Sequence, residues 1–230
     1  MNKQNRYWRA VHLIALTVAF ELVPSWSWAE DRKLWQQPER VLADLHLPVG
    51  VQIGDIGCGG GYFTLRFAPI TGPSGKVFAV DVSAESLKSV RERIQRDRLE
   101  NVEVVQSAAT DTKLPAASLD VAFFCDVLHE MPAADRLPLI CDVVRALKPG
   151  GLLFLIDWRK RHEIPFDPYE KLIPREDLVQ LGTDAGLALD AECHYLKYQV
   201  FLRFRKPGSP TGRLRLPGNG TGRGFYRQRG

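Results

Sequence analysis

The sequence predicts an α/β fold: a mostly parallel seven-stranded sheet, covered by helices on both faces, with an antiparallel strand near the C-terminus. Three observations predict it. Short apolar runs alternate with longer stretches whose apolar residues recur every three or four positions. A glycine-rich turn, Gly57-Cys58-Gly59-Gly60-Gly61, follows the first of those runs. The last two runs, 187–193 and 197–204, read as an antiparallel pair. Repeated strand–helix alternation of this kind gives a sheet that binds ligands at the carboxyl ends of its strands.

Taken in order, the spacing predicts a leading helix over 38–47, with Val41, Leu42 and Leu45 as its apolar stripe and Pro48 and Gly50 closing it. A first strand over 51–56 leads through the glycine turn into a helix over 62–69. The second strand covers 76–80, and a polar-faced helix follows over 84–98, where Leu87, Val90 and Ile94 share one side. Strands are expected at 101–106 and 119–124. A helix over 134–147 buries Leu137, Ile140, Val144 and Leu147, and Pro149-Gly150 ends it before a fifth strand over 152–156. A helix over 174–185 exits at Gly186 and precedes the last two strands. No internal repeat is present.

Charge divides the chain of 230 residues into three parts. Residues 206–230 carry +6 and residues 1–29 carry +2, so the net +4 leaves residues 30–205 at −4. The expected folded domain, 30–205, is therefore acidic, and no specific nucleic-acid partner is expected of it. Residues 1–29 combine three early positive charges, the apolar run 11–20 and Ser27-Trp28-Ala29, which resembles a signal peptide cleaved after Ala29. Export to the periplasm or beyond and an uncleaved arm on a cytoplasmic protein both stay open. The Gly-, Pro- and Arg-rich segment 206–230 has too little apolar surface to offset its ordering entropy and reads as a disordered tail suited to contact acidic surfaces. Cys58, Cys125, Cys141 and Cys193 are too scattered for a disulfide framework or a metal motif, and no metal site is expected.

Glycines at 57, 59 and 61 let the backbone turn sharply and approach a ligand without Cβ collision. A dinucleotide-binding loop would need a glycine at position 62, where this chain has Tyr62. It would also bring a helix N-terminus to a pyrophosphate, for which Asp55, two residues before Gly57, is an awkward neighbour. A carboxylate there instead suits a cationic amino-acid end. Asp81, at the end of the second strand, suits ribose hydroxyls, and Val82 suits an adenine wall.

The pattern from Asp55 to Gly61 resembles motif I of the class I S-adenosylmethionine-dependent methyltransferases. The segment Leu119–Glu130 resembles the strand-four signature of that superfamily, and Arg145–Gly151 its turn before strand five. Trp35-Gln36-Gln37-Pro38, Ile156–Lys160 and Pro174-Arg175-Glu176 are similar to the bacterial branch of ubiquinone and menaquinone biosynthesis or type 11 methyltransferases. The resemblance spans about 32–205 and implies a Rossmann-like class I methyltransferase fold with S-adenosyl-L-methionine as cofactor. It places Asp55, Gly57, Cys58, Gly59, Gly61, Tyr62, Asp81, Val82, Phe124 and Cys125 at the cofactor. Asp111 has two open readings, contact with the adenine amino group or an Asx turn.

On the acceptor side the resemblance and the strand ends place Asp126, His129, Glu130, Asp157, Trp158, Arg159 and Trp35. His129 is the candidate general base, because an imidazole titrates near neutrality; a capping or cleft-lining role is its alternative. The expected function is methyl transfer to a small-molecule acceptor. Its alternative is a catalytically inactive chain that binds the cofactor or serves as a partner module. A dinucleotide oxidoreductase is opposed by Tyr62 and Asp55. A nucleic-acid or protein methyltransferase is opposed by the acidic body and the lack of a recognition domain. Oligomeric state is not legible.

Overall fold

The computed structural model describes residues 27–160, 169–208 and 225–226, with side chains described from residue 32 and not at 225–226. The chain divides into two units, 1–37 and 38–230. The first contributes helix α1, Ser27–Gln36, in which the Arg32 guanidinium lies 6.0 Å from the Trp35 ring centroid. The signal-peptide reading falls outside the described residues up to 26, and residues 27–29 begin α1.

The second unit holds the sheet. In chain order its elements are α2 (Pro38–Leu45), β1 (Gln52–Ile56), α3 (Thr64–Thr71), β2 (Lys76–Asp81), α4 (Ala84–Asp97), β3 (Val102–Gln106), β4 (Leu119–Cys125), α5 (Ala133–Ala146), β5 (Leu147–Trp158), α6 (Arg175–Asp184), β6 (Ala188–Cys193) and β7 (Gln199–Arg205). The strand order is β3-β2-β1-β4-β5-β7-β6. The pairs from β3 through β5 are parallel, and β7 runs antiparallel to both β5 and β6. The seven predicted strands are therefore observed in a mostly parallel sheet, to which one further short strand is added at the β6 edge. β7 is the antiparallel strand, inserted between β5 and β6.

Strand β4 shows how one sequence serves two faces. Side chains alternate along a strand, so Val121 and Phe123 join Ile53, Phe63, Phe67 and Phe154 beneath α2 and α3. Ala122 and Phe124 join Ile140, Val143, Leu155 and Phe204 beneath α5 and α6. Phe63, Phe67 and Phe123 pack ring on ring at centroid distances of 4.8 to 5.9 Å. Each fully buried large side chain contributes about 1.5–3 kcal/mol. These two layers hold the strand ends, and with them the site, in register.

Most boundaries differ from expectation by one or two residues, and three regions differ in a way that matters. The helix after the glycine turn starts at Thr64 rather than 62, because residues 57–63 are used in turns, and it continues past Pro69 to Thr71. Pro69 gives up only its own backbone donor, so the turn beyond it still closes. Helix α5 ends at Ala146, and β5 already begins at Leu147, passing through Pro149-Gly150-Gly151. Backbone bonds between Lys206 and the glycines Gly150 and Gly151, at 3.1 and 2.9 Å, hold that turn as sheet. Finally, the tail is not wholly without structure: Phe225–Tyr226 forms a two-residue strand, β8, antiparallel to Glu192 and Cys193 of β6. An edge strand leaves backbone donors and acceptors unpaired, and β8 supplies partners for some of them.

Candidate active site

The chain leaves β1 toward β2 and β3 on one side, then returns across β1 to place β4 on the other. Open α/β sheets bind ligands outside the strand carboxyl ends at such a reversal. A cleft of about 310 Å³ lies there, lined by Ile56 and Gly57 after β1, Asp81 and Val82 after β2, Ser107 to Ala109 after β3, and Asp126 and Val127 after β4. Glu130, Met131, Pro132 and Leu139 complete the wall.

The glycine turn is fixed from beneath. Gly57 and Cys58 donate to the Val80 carbonyl at 2.8 and 3.0 Å, and Gly61 donates back to Cys58 at 2.9 Å. Gly57 has φ +72°, and a Cβ there would lie 2.5 Å from a Val127 methyl. That position needs glycine on both counts. Above Gly59, with φ +51°, a Cβ would meet nothing within 4 Å, so the turn faces open space.

Asp81 joins two loops. One carboxylate oxygen accepts from the Gly59 N–H at 2.8 Å and the other from the Ser83 N–H at 2.8 Å. Ser83 in turn caps α4, its hydroxyl accepting from the Ser86 N–H at 3.2 Å. The carboxylate is thereby oriented before any ligand arrives, and its remaining lone pairs suit hydroxyl donors. Val82, 57% exposed, presents bare apolar surface beside it.

Other residues expected at the loop support it from within. Asp55 is buried and accepts from the Thr64 hydroxyl at 2.6 Å, which ties β1 to the first turn of α3. The Cys58 thiol is pushed up by burial and then by the charges of Asp55 and Asp81, so it is a neutral packing group. Tyr62 meets Phe63 edge-on at 5.2 Å and lies under the Arg66 guanidinium at 4.0 Å; it is not among the residues lining the cleft. Phe124 is fully buried in the sheet core, and the half-buried Cys125 thiol donates to the Asp126 carboxylate at 3.6 Å.

Asp111 stands outside the cleft lining. Its carboxylate accepts from the Lys113 backbone N–H at 2.9 Å and pairs with the Lys113 ammonium, which holds it below the usual carboxylate range. Of its two readings the structure shows the turn. The loop backbone that faces the cleft there is Ser107, Ala108 and Ala109.

On the acceptor side, Asp157 is the organiser. Its buried carboxylate accepts from the backbone N–H groups of Leu128 at 3.0 Å, His129 at 3.3 Å and Trp158 at 2.8 Å, and from His129 Nδ1 at 2.6 Å. His129 Nε2 lies 3.4 Å from Glu130, which also pairs with Lys171 at 2.9 Å. That lysine hydrogen bond holds the Glu130 carboxyl below its ordinary range. The imidazole side chain is only 3% exposed and does not line the cleft, whereas Glu130 does. Trp158 is buried, and Arg159 lines a separate cleft beyond β5. Trp35 belongs to the N-terminal unit and is described within α1 alone.

Three contributors were not read from sequence. Thr64 and Ser83 anchor the two acids, and Gln199, fully buried at the start of β7, donates to Asp126 at 2.5 Å. Asp126 itself has φ +60°, a left-handed conformation uncommon for a residue with a Cβ. Ser83 had a local signal as the cap before an amphipathic run. Gln199 had none.

Comparison with known proteins agrees with this geometry. Residues 53–151 match the family model described as a methyltransferase domain. A demethylmenaquinone methyltransferase of Listeria welshimeri is 32% identical over 108 residues, covering 47% of this chain and 45% of that protein. The one from Staphylococcus aureus is 29% identical over 128 residues, covering 56% and 51%. The chain thus spans about half the length of the curated relatives it matches. Among solved structures, a SAM-dependent methyltransferase from Aquifex aeolicus superposes with a TM-score of 0.71 at 28% identity, covering 76% of this chain and 92% of that one.

Proposed function

We propose that this chain is a class I S-adenosylmethionine-dependent methyltransferase, a reading supported by its similarity to such proteins, and that it binds the cofactor in the cleft at the β1/β4 reversal and methylates a small-molecule acceptor. The observation that carries the reading is the sign of the charge in that cleft. Among the described residues, Asp81, Asp126 and Glu130 line it and no Lys, Arg or His does. Carboxylates of this kind favour a ligand bearing a sulfonium and an ammonium and disfavour a pyrophosphate.

The residues fit the group in detail. Asp81 would accept the ribose hydroxyls, Val82 would supply the adenine wall, and the open space over Gly59 would admit the ligand close to backbone. When bound, S-adenosylmethionine supplies an electrophilic methyl group and a neutral thioether leaving group. The protein's part is orientation and electrostatics. Asp55 and Thr64 keep the glycine turn in place, and Gln199 keeps Asp126 at the cleft wall.

His129 would serve as base through Nε2, since Nδ1 is spent on Asp157. Its burial means that the 128–130 turn must shift before the ring can meet an acceptor proton. The same burial favours a second reading, binding of the cofactor without transfer. Incubation of the full chain with methyl-labelled cofactor and a metabolite extract separates the two. Label passing into a small molecule is the expected result; binding of S-adenosylhomocysteine with no label transferred would favour the second reading. The quinone-type acceptors named for the Listeria and Staphylococcus relatives belong among the first compounds assayed.

A further inference from the structure

One buried group beside the candidate cofactor cleft is only partly used. Gln199, the first residue of β7, is fully buried. Its backbone lies opposite Trp158, the last residue of β5, and β5 has β4 as its other neighbour. Two strand spacings, about 10 Å, therefore separate β7 from β4. Gln199 Nε2 nonetheless donates to Asp126 Oδ1 at 2.5 Å, just past the end of β4. The side chain thus reaches across the carboxyl end of β5, and its amide lies between the start of β7 and the cleft wall that Asp126 forms.

A carboxylate accepts hydrogen bonds and donates none, so the amide must turn its NH2 group toward Asp126 and its oxygen away. That oxygen, Gln199 Oε1, is buried and accepts no hydrogen bond among the described residues. Asp126 is itself set by its backbone: φ is +60°, and its N–H donates to the Ile156 carbonyl at 2.9 Å. The amide is therefore oriented by a partner whose own place is held, and its oxygen stands ready to accept. A buried carbonyl oxygen without a donor is costly, because the water it gave up on folding has not been replaced. Such a cost has a reason where a ligand supplies the donor.

We propose that Gln199 recognises the methyl acceptor, its Oε1 accepting a hydrogen bond from an O–H or N–H of that molecule. The proposal rests on the reading that the cleft at the β1/β4 reversal holds S-adenosylmethionine. Asp81 and Val82, which would hold the adenosine, stand after β2. The acceptor's share of the sheet end is then the opposite side, over β4 and β5, where the Gln199 amide lies. An uncharged amide oxygen selects for a donor and not for a charge. An analogue whose hydroxyl is blocked would leave Oε1 buried and unpaired, and sites built around such a bond reject the analogue that lacks it.

The test uses the full chain saturated with S-adenosylhomocysteine and three probes, phenol, aniline and anisole, which offer an O–H, an N–H and no donor. Each is titrated while the Gln199 side-chain amide is followed by NMR. Saturable shifts with phenol or aniline are expected, at an affinity at least about fivefold above that of anisole, and the tighter of the two names the donor. In Gln199→Met the advantage over anisole should disappear; should that variant fail to fold, the comparison of the three probes in the wild-type chain decides alone. Equal affinity for anisole, an advantage that persists in Gln199→Met, no saturable shift with any probe, or an ordered water that stays on Oε1 in a crystal structure with phenol bound would overturn the proposal. The same donor preference in a chain that fails to bind S-adenosylhomocysteine would remove the assignment to a methyl acceptor, and would point to failure of the cofactor reading instead.

Discussion

Asp81 and Cys58 show how much a single side chain can settle. The place of Asp81 beside the glycine turn was legible in sequence, because an acid closing the second strand must stand at the carboxyl end of the sheet. Its bonds to Gly59 and Ser83 add that it is oriented in advance. A hydrogen bond to a charged group is worth about 1.5–3 kcal/mol, so Asp81→Ala should weaken S-adenosylhomocysteine binding at least tenfold, read by calorimetry, while the far-ultraviolet circular dichroism stays unchanged. Cys58 and Cys193 are both pushed up, chiefly by burial, whereas Cys141 is exposed. At pH 8, iodoacetamide should therefore label Cys141 well before the other two, as peptide mass analysis would show. A folded-state thiol pKa above the unfolded value of about 8.5 gives stability that is complete below that pH and lost as pH rises toward the folded value. The urea midpoint should accordingly fall on going from pH 8 to pH 10, and less steeply in Cys58→Ala. His129 was legible only as a residue type. Its partner Asp157 lies in β5, 28 positions away, and no local pattern announces that bond.

Among the elements, the parallel strands and their helices were legible because apolar spacing repeats within each one. The boundaries that failed are those decided by long-range partners: β5 starts early because the end of β7 reaches back to Gly150 and Gly151. The same dependence appears where α6 meets β7. Gly182, in the helix, is so close to the Phe204 ring that a Cβ would stand 2.4 Å from it. Gly182→Ala gains about 1 kcal/mol of helix propensity but overpacks a fully buried ring at a cost of about 1–3 kcal/mol. The net effect should be destabilising, seen as a lower urea midpoint at unchanged m value. An unchanged or higher midpoint would mean that helix and strand separate more easily than their packing implies.

For the whole molecule, the order of strands accounts for the position of the cleft, and the charge of the cleft is the ground for the ligand proposed for it. Sequence gave net charge by segment but not by cleft; folding gathers Asp81, Asp126 and Glu130 from two strand ends and a turn onto one wall. Gln199, which steadies Asp126 from 73 positions away, could not be assigned before the insertion of β7 beside β5 was known. The claim that this cleft is built for S-adenosylmethionine is tested most directly by calorimetric titration of the full chain with S-adenosylmethionine and, separately, with NAD. Saturable binding of S-adenosylmethionine, at least a hundredfold tighter than any binding of NAD, is the predicted result. Equal or tighter binding of NAD would contradict it.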